Sequence, residues 1–393
     1  MQSELLPFEL PWVHLQPFLR EHGYELRARY QPDWQPSWIR MEEPSLRRKY
    51  EDGSFFTYDN ILDATRASDG KAVILKLIER EDLSEQHMRY LNGDGRCEDI
   101  RNHTVPLLDV LRPPLLPSCT IIVTPRLVPW DNWPFTRVSE VVDFVHQILA
   151  GLAFMHELHL VHLDASVANI MMDGLHLYLE PDHPARPGRA LNDFRSVRRL
   201  ERHESPAPVK YYYIDFGQSV RFQSLEDRRP LRRPGAQDRT VPEERYPDPC
   251  DPFALDVYCV GNVIKEYILE VRVRPAGTVY WNVRFLRRLV QDMVGENPSS
   301  RPTAAEALAR FAAICETLKE DDLRKPLRRL WPIYSDIIKV LNERALDRAE
   351  KRVEKKLRTA ATPSSQHTFL DTLMRRTAQR RRDDSSPPEK ISG

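Results

Sequence analysis

Glycine is scarce in this chain. Only 14 of its 393 residues are glycine, roughly half the usual 7%. Neither G-x-G-x-x-G nor G-x-x-x-x-G-K-S/T occurs, so no glycine loop of the kind that cradles phosphates with backbone N–H groups is expected. Net charge is lacking as well. The 58 basic and 58 acidic side chains cancel, which withholds the single-sign field that draws a whole protein to nucleic acid or to an anionic membrane. No apolar run approaches the 18 or more residues of a membrane span, so no membrane partner is expected. The opening MQSELLPFELPW has neither the basic start nor the clean apolar stretch of a secretory signal. The five cysteines, Cys97, Cys119, Cys250, Cys259 and Cys315, are odd in number and widely spaced, without a C-x-x-C. That usage points to free thiols in a reducing, cytoplasmic compartment and away from a zinc site.

Proline is abundant, 32 of 393 residues against about 5% normally. Apolar residues make up 41% and charged ones 30%, which allows a sizeable core with solvated parts elsewhere. The length predicts two to three domains or lobes. Residues 1–49 form an arm with Trp12, Trp34 and Trp38, the kind of segment that packs on a domain rather than forming one. From about residue 50 to 128, short β-like runs alternate with turns. The runs at 55–58 (FFTY), 72–78 (AVILKLI), 105–111 and 120–124 are strand candidates, with Ser68-Asp69-Gly70 as a turn. From Ser139 the apolar period changes to three and four residues through Val141, Phe144, Val145, Ile148, Leu149, Leu152 and Met155. This predicts a helix over 139–158 with Ser139 as its N-cap. A polar, proline-rich stretch at 180–208 reads as an inserted surface loop, with a docking element as the alternative. Residues 254–270 and 303–318 are helical again. A C-terminal helix is expected over 319–358 and a disordered basic tail over 359–393. Residues 343–393 carry 13 basic and 8 acidic side chains, a net of +5. A solubilising tail is the leading reading of that excess, with nuclear import or RNA contact as the alternatives.

Two segments carry chemistry. The first is LVHLDASVANIMM at 160–172, in which His162, Asp164 and Asn169 lie between a helix and an apolar strand. The second is YYYIDFG at 211–217, an apolar strand ending in Asp215-Phe216-Gly217. Phosphoryl transfer needs this set of groups, because the protein's work there is mostly positioning and charge neutralisation. Asp215 fits a carboxylate that holds Mg²⁺ against phosphates. Asn169 fits an amide oxygen for a second Mg²⁺. Asp164 fits a base that orients an acceptor hydroxyl and takes its proton. Each motif alone is weak, since a lone aspartate in a loop is usually a turn residue; their order strengthens the signal. Upstream, Val73-Ile74-Leu75-Lys76 puts a lysine inside an apolar strand. Such a lysine either reaches solvent from a strand edge or has a phosphate or glutamate partner.

On these motifs the chain resembles a eukaryotic protein-kinase domain over residues 50–318. It is especially similar to the divergent kinase-like proteins of mushroom-forming fungi. The resemblance implies an α+β, two-lobed fold, with a small antiparallel β N-lobe at 50–128 and a larger helical C-lobe at 129–318. It also covers Val241-Pro242-Glu243, Asp256-Val-Tyr-Cys-Val-Gly261 and Asn297-Pro-Ser-Ser-Arg301-Pro. It implies a buried ion pair between Glu243 and Arg301, and an Asp256 carboxylate bracing the backbone of the catalytic loop. It further implies ATP with Mg²⁺ or Mn²⁺ as cofactors. Lys76, Asp164, Asn169 and Asp215 would be the working residues. Glu85 would partner Lys76, with Met88 and Leu91 three and six residues later. The Pro125 carbonyl and Leu127 amide would meet adenine, behind Thr124 as gatekeeper.

The departures from the family are equally specific. Gly53 is the only glycine between residues 24 and 69, so the glycine-rich loop is missing, although residues 61–64 fit the strand that follows it. Leu163 stands where the family has arginine, which argues against activation-loop phosphorylation as the switch. Ser166 stands where serine/threonine kinases carry lysine. That loss removes a charged hydrogen bond of roughly 1.5–3 kcal/mol and predicts slow chemistry. Glu85 follows Lys76 by only nine residues, short for the family, which leaves Glu81 as its alternative. Asn169 and Asp215 are 46 residues apart, with the proline-rich stretch filling the excess.

The expected activity is therefore slow, ATP-dependent phosphorylation of serine or threonine in a protein substrate. A pseudokinase serving a scaffold partner as a nucleotide-gated platform is the alternative. A small-molecule kinase fits less well, because Glu243, Asp256 and Arg301 belong to the protein-kinase pattern. Nucleic acid is not an expected partner except through the basic tail, and no feature selects an oligomeric state.

Overall fold

The computed structural model describes residues 5–40, 49–193, 195–224, 226–231, 237–245, 248–270 and 279–330. The basic tail and most of the expected C-terminal helix fall outside these residues. The architecture is mixed α+β and divides into two compact units. The first comprises Met1–Asn132, Ala168–Glu201 and Tyr211–Arg221; the second comprises Trp133–Val167, Arg202–Lys210 and Phe222–Gly393.

The first unit is built on an antiparallel five-stranded sheet. Its strands are β1 (Tyr24–Glu25), β2 (Ile61–Arg66), β3 (Ala72–Glu79), β4 (Asp109–Leu111) and β5 (Cys119–Pro125), in the order β1-β2-β3-β5-β4. The sequence of β3, AVILKLIE, is rich in branched side chains that fit a pleated surface. Its alternate residues Val73 and Leu75 are fully buried, as the two-residue period of a strand requires. The β2–β3 connection is the expected turn. Gly70 adopts φ +69° there, the left-handed region that glycine enters without strain, and the Asp69 carboxylate holds the Lys71 N–H at 3.2 Å.

The N-terminal arm belongs to this unit. Helix α1 (Leu10–Glu21) lays Trp12, Leu15 and Leu19 into one apolar cluster with Tyr24, Leu62 and Leu75. Behind it, the buried Arg29 guanidinium donates to both Glu9 oxygens, at 2.6 and 2.7 Å, and stacks on Trp34 and Phe55. The run at 55–58 is no strand. Phe55 instead meets Phe8 edge-on and Tyr58 is exposed. Aromatic residues favour strands only where a pairing partner exists, and Phe55 finds a ring to pack on instead.

Helix α2 (Ser84–Asn92) follows β3. A second, three-stranded sheet joins β6 (Val128–Pro129), the strand Ile170–Asp173 and the strand Lys210–Tyr213. The proline-rich stretch is more built than a surface loop. Asp182–His183 pairs with Arg186–Ala190 as an antiparallel hairpin, and Asp182 and His183 are buried. The Asp182 carboxylate receives the Arg126 guanidinium through two bonds of 2.8 Å, with both side chains buried. His183 Nε2 donates to the Glu51 carbonyl at 2.8 Å. The Asp182 and His183 side chains are satisfied by internal pairing, while Arg189 and Arg195 are exposed.

The second unit is helical: α3 (Val138–Glu157), α4 (Pro252–Ile264), α5 (Arg287–Met293), α6 (Ala304–Glu316) and α7 (Glu320–Arg324). Helix α3 packs on α4, α6 and α7. By length and composition it would pass for a membrane span, but 78% of its most apolar window is buried inside the protein. Its N-terminus is closed by Glu140 rather than Ser139. The Glu140 carboxylate accepts the Thr136 N–H at 2.7 Å and the Arg137 N–H at 3.4 Å, satisfying donors that a helix start leaves open. Beyond Pro326, where helix was expected, the described chain forms the short strand Arg329–Leu330 on Val279–Tyr280.

Candidate active site

The first unit brings together three residues singled out from the sequence. Lys76 projects from the centre of β3, and its Nζ lies 2.7 Å from Asp215 Oδ1 across 139 residues of chain. Asp215 follows the strand Lys210–Tyr213 and holds φ +63°, ψ +78°, a left-handed conformation that aspartate tolerates better than most residues. Its carboxylate then accepts the Gly217 N–H at 3.4 Å. Asn169 is buried at the start of the neighbouring strand Ile170–Asp173. Its carbonyl accepts the Ile214 N–H at 3.0 Å, which fixes Asn169 beside the residue preceding Asp215.

Helix α2 closes on the Asp-Phe-Gly turn by its N-terminal end. The Asp82 carboxylate caps the Ser84 N–H at 2.7 Å. A Cβ on Gly217 would stand 3.6 Å from Ser84 Oγ and 3.7 Å from Asp82 Oδ2. The Phe216 carbonyl accepts from His87 Nδ1 at 3.4 Å. Burial pulls the His87 imidazole below its ordinary value and outweighs that carbonyl, so a neutral ring is favoured here.

Glu85 takes a different partner from the expected one. Both its oxygens accept from Arg112 at 2.7 Å, and Arg89 adds a bond at 2.9 Å. Burial pushes the Glu85 carboxyl up, but these two guanidiniums win and hold it below the usual range. Lys76 pairs with Asp215 instead. The sequence carried no signal for Arg112, which lies 27 residues after Glu85 at the end of β4. Pro125 closes β5 opposite Val73. The next residue continues the pairing, Arg126 N–H to the Ala72 carbonyl at 3.1 Å, and Leu127 is buried.

In the second unit the loop after α3 is held by one carboxylate. Asp256 on α4 is fully buried. Its oxygens accept the His162 and Leu163 N–H groups at 2.7 Å each and His156 Nε2 at 3.1 Å. This bracing matches the expectation for Asp256. It also accounts for Leu163 at φ +64°, a conformation costly for a branched residue unless its surroundings impose it. The Glu243–Arg301 pair is likewise present, through bonds of 2.6 and 2.9 Å, with the Arg301 side chain fully buried.

Asp164 follows on this braced loop and is 8% exposed. Its Oδ1 accepts the Gln237 N–H at 2.8 Å and its Oδ2 the Gln237 side-chain amide at 3.3 Å. Ser166 Oγ donates to Gln237 Oε1 at 3.2 Å. Nothing in the sequence around Gln237 announced this role; it lies 73 residues from Asp164.

Among the described residues no group of three or more His, Cys, Asp or Glu is placed to hold a metal ion. Asn169 and Asp215 supply an amide and a carboxylate, the hard oxygen donors Mg²⁺ prefers. A two-residue set is enough for an ion that keeps waters and takes phosphate oxygens. Compared with known proteins, the chain matches no protein-family model and no curated protein.

Proposed function

We propose that the protein has a two-lobed, protein kinase-like fold and transfers the γ-phosphoryl group of ATP to serine or threonine hydroxyls of a protein substrate. One observation carries this reading: Lys76 and Asp215 meet at 2.7 Å, and Asn169 is tied to the residue before Asp215. Three side chains named for one chemistry, and far apart in sequence, share one unit. The braced loop of the second unit supports it, since Asp256 fixes the backbone leading to Asp164. The Glu243–Arg301 pair supports a protein substrate over a small molecule.

In this reading Lys76 binds nucleotide phosphates, moving from Asp215 to the incoming anion. Asn169 and Asp215 would hold Mg²⁺, which would neutralise phosphate charge when bound. Pro125 and Leu127 offer the adenine contacts. Asp164 receives the proton of the acceptor hydroxyl as its oxygen bonds to the γ-phosphorus. The bond from that phosphorus to the bridging oxygen breaks, and ADP leaves with the electron pair. Ser166 supplies no cation to the moving group, so turnover is slow. A nucleotide-gated scaffold is the second reading, favoured by the engagement of Glu85 with Arg112 and Arg89 rather than Lys76.

The test is γ-phosphate transfer from labelled ATP to casein with Mg²⁺ or Mn²⁺, with Asp215→Ala as control. Label that disappears in the control supports the kinase. Thermal stabilisation by ATP and Mg²⁺ without label supports the scaffold. The absence of both label and stabilisation overturns both readings.

A further inference from the structure

We propose that Gln237 guards the candidate base, its side-chain amide holding the Asp164 oxygen that a phosphoryl acceptor would use, so that water is excluded until a protein hydroxyl displaces it. The inference rests on the phosphoryl-transfer reading and deepens it on the acceptor side.

Three bonds define the arrangement. The Gln237 backbone N–H meets Asp164 Oδ1 at 2.8 Å, its Nε2 meets Oδ2 at 3.3 Å, and its Oε1 receives Ser166 Oγ at 3.2 Å. The two carboxylate contacts differ in kind. The backbone bond is of ordinary length, while the side-chain bond lies beyond the usual 2.7–3.2 Å range. The first orients the carboxylate and the second is the weaker hold. Gln237 is exposed, whereas Asp164 and Ser166 are buried. The amide can therefore swing into solvent without opening the protein, uncovering the Asp164 oxygen it held.

The amide orientation follows from its neighbours. Its NH₂ must face the acceptor-only carboxylate and its carbonyl the Ser166 hydroxyl, since the reverse sets two acceptors against each other. Ser166 therefore has work at a position where lysine was expected: it anchors the guard. A neutral amide adds no charge beside Asp164, so a hydroxyl presented by a bound substrate can replace it at little electrostatic cost. A water molecule brings no such binding energy.

The reaction held back is hydrolysis. A water oxygen would bond to the γ-phosphorus and the bond to the bridging oxygen would break. ADP would leave with the electron pair, and Asp164 would take the water proton.

The experiment measures ADP release from the full chain with ATP and Mg²⁺ without acceptor, then phosphate transfer to casein. In Gln237→Ala the backbone bond survives. Acceptor-free ADP release is expected to rise about tenfold, with an unchanged KM for ATP and a higher ratio of hydrolysis to transfer. Ser166→Ala, which frees only the Oε1 anchor, should give a smaller rise in the same direction. A purely structural residue would lower the melting temperature without moving that ratio. If wild type transfers label and Gln237→Ala hydrolyses ATP no faster, the guard is overturned and the kinase stands. If neither protein turns over ATP, the phosphoryl-transfer reading falls, and the guard with it.

Discussion

Lys76 sits between Leu75 and Leu77 on β3, where a charge is tolerated only with a partner. Its partner is Asp215, and the pair is partly open to solvent, with side chains 23% and 45% exposed. An ion pair so wet contributes about 0–1 kcal/mol, too little to explain a cation in an apolar strand by stability alone. Lys76→Met should therefore change unfolding free energy by less than about 1 kcal/mol while abolishing thermal stabilisation by ATP and Mg²⁺. Urea unfolding and a nucleotide-dependent thermal shift measure the two separately. A large stability loss with nucleotide stabilisation intact would make Lys76 a structural residue. Asp256 is the opposite case, buried and accepting three bonds. Asp256→Ala strands the His162 and Leu163 N–H groups and should cost about 3 kcal/mol or more in the same unfolding assay.

At the scale of elements, the hairpin at 182–190 is held by a charge pair that cannot lose one member cheaply. Asp182→Ala leaves the Arg126 guanidinium buried and unmatched, which should cost about 3–5 kcal/mol. The double variant Arg126→Met, Asp182→Leu should recover most of that loss, and single losses that simply add in the double variant would show that the pair is not coupled. Helix packing in the second unit offers a steric counterpart. A Cβ on Gly261 of α4 would stand 2.7 Å from Met293 Cβ on α5, so Gly261→Ala should destabilise by about 1–3 kcal/mol through overpacking, visible as a lower denaturation midpoint at unchanged slope. These two elements also mark what the sequence could and could not reveal. Periodicity located α3 to within a residue, and alternation located β3, because burial of one face leaves a repeating pattern. The order of His162, Asp164, Asn169 and Asp215 made a candidate site legible because that chemistry constrains residue types. The hairpin read as a loop because its polarity is matched by Arg126, 56 residues away. Glu85 pairs with Arg112 and Asp164 with Gln237 for the same reason. Long-range partners leave no local pattern, and FFTY at 55–58 has strand composition without a strand to pair with.

Over the whole molecule, the titrating groups agree on a pH window. Glu9, Glu85 and Glu140 all have carboxyls held below their ordinary value. In each, burial pushes upward and is overcome by guanidinium, backbone or imidazole partners. His87 and His183 are also lowered, chiefly by burial. A group lowered in the folded state binds fewer protons there than in the unfolded chain across that interval, so stability rises with pH through it. The histidine contribution is present above their ordinary value of 6.5 and is lost as pH falls from there. The carboxylate contribution is present above 4.5 and is lost below. On the alkaline side burial pushes the Cys315 thiol from 9.0 up to about 12, and Tyr24 and Tyr212 from 10.0 up to about 12. These groups stay protonated when folded while the unfolded chain ionises, so their contribution is present below 9 to 10 and is lost above. A melting curve measured against pH should therefore be flat between about pH 6.5 and 9. It should fall gently from 6.5 to 4.5, more steeply below, and fall again above 9. A melting temperature that rises on acidification below pH 6 would mean that the histidines gain protons on folding, and that the burial of His87 and His183 does not persist in solution.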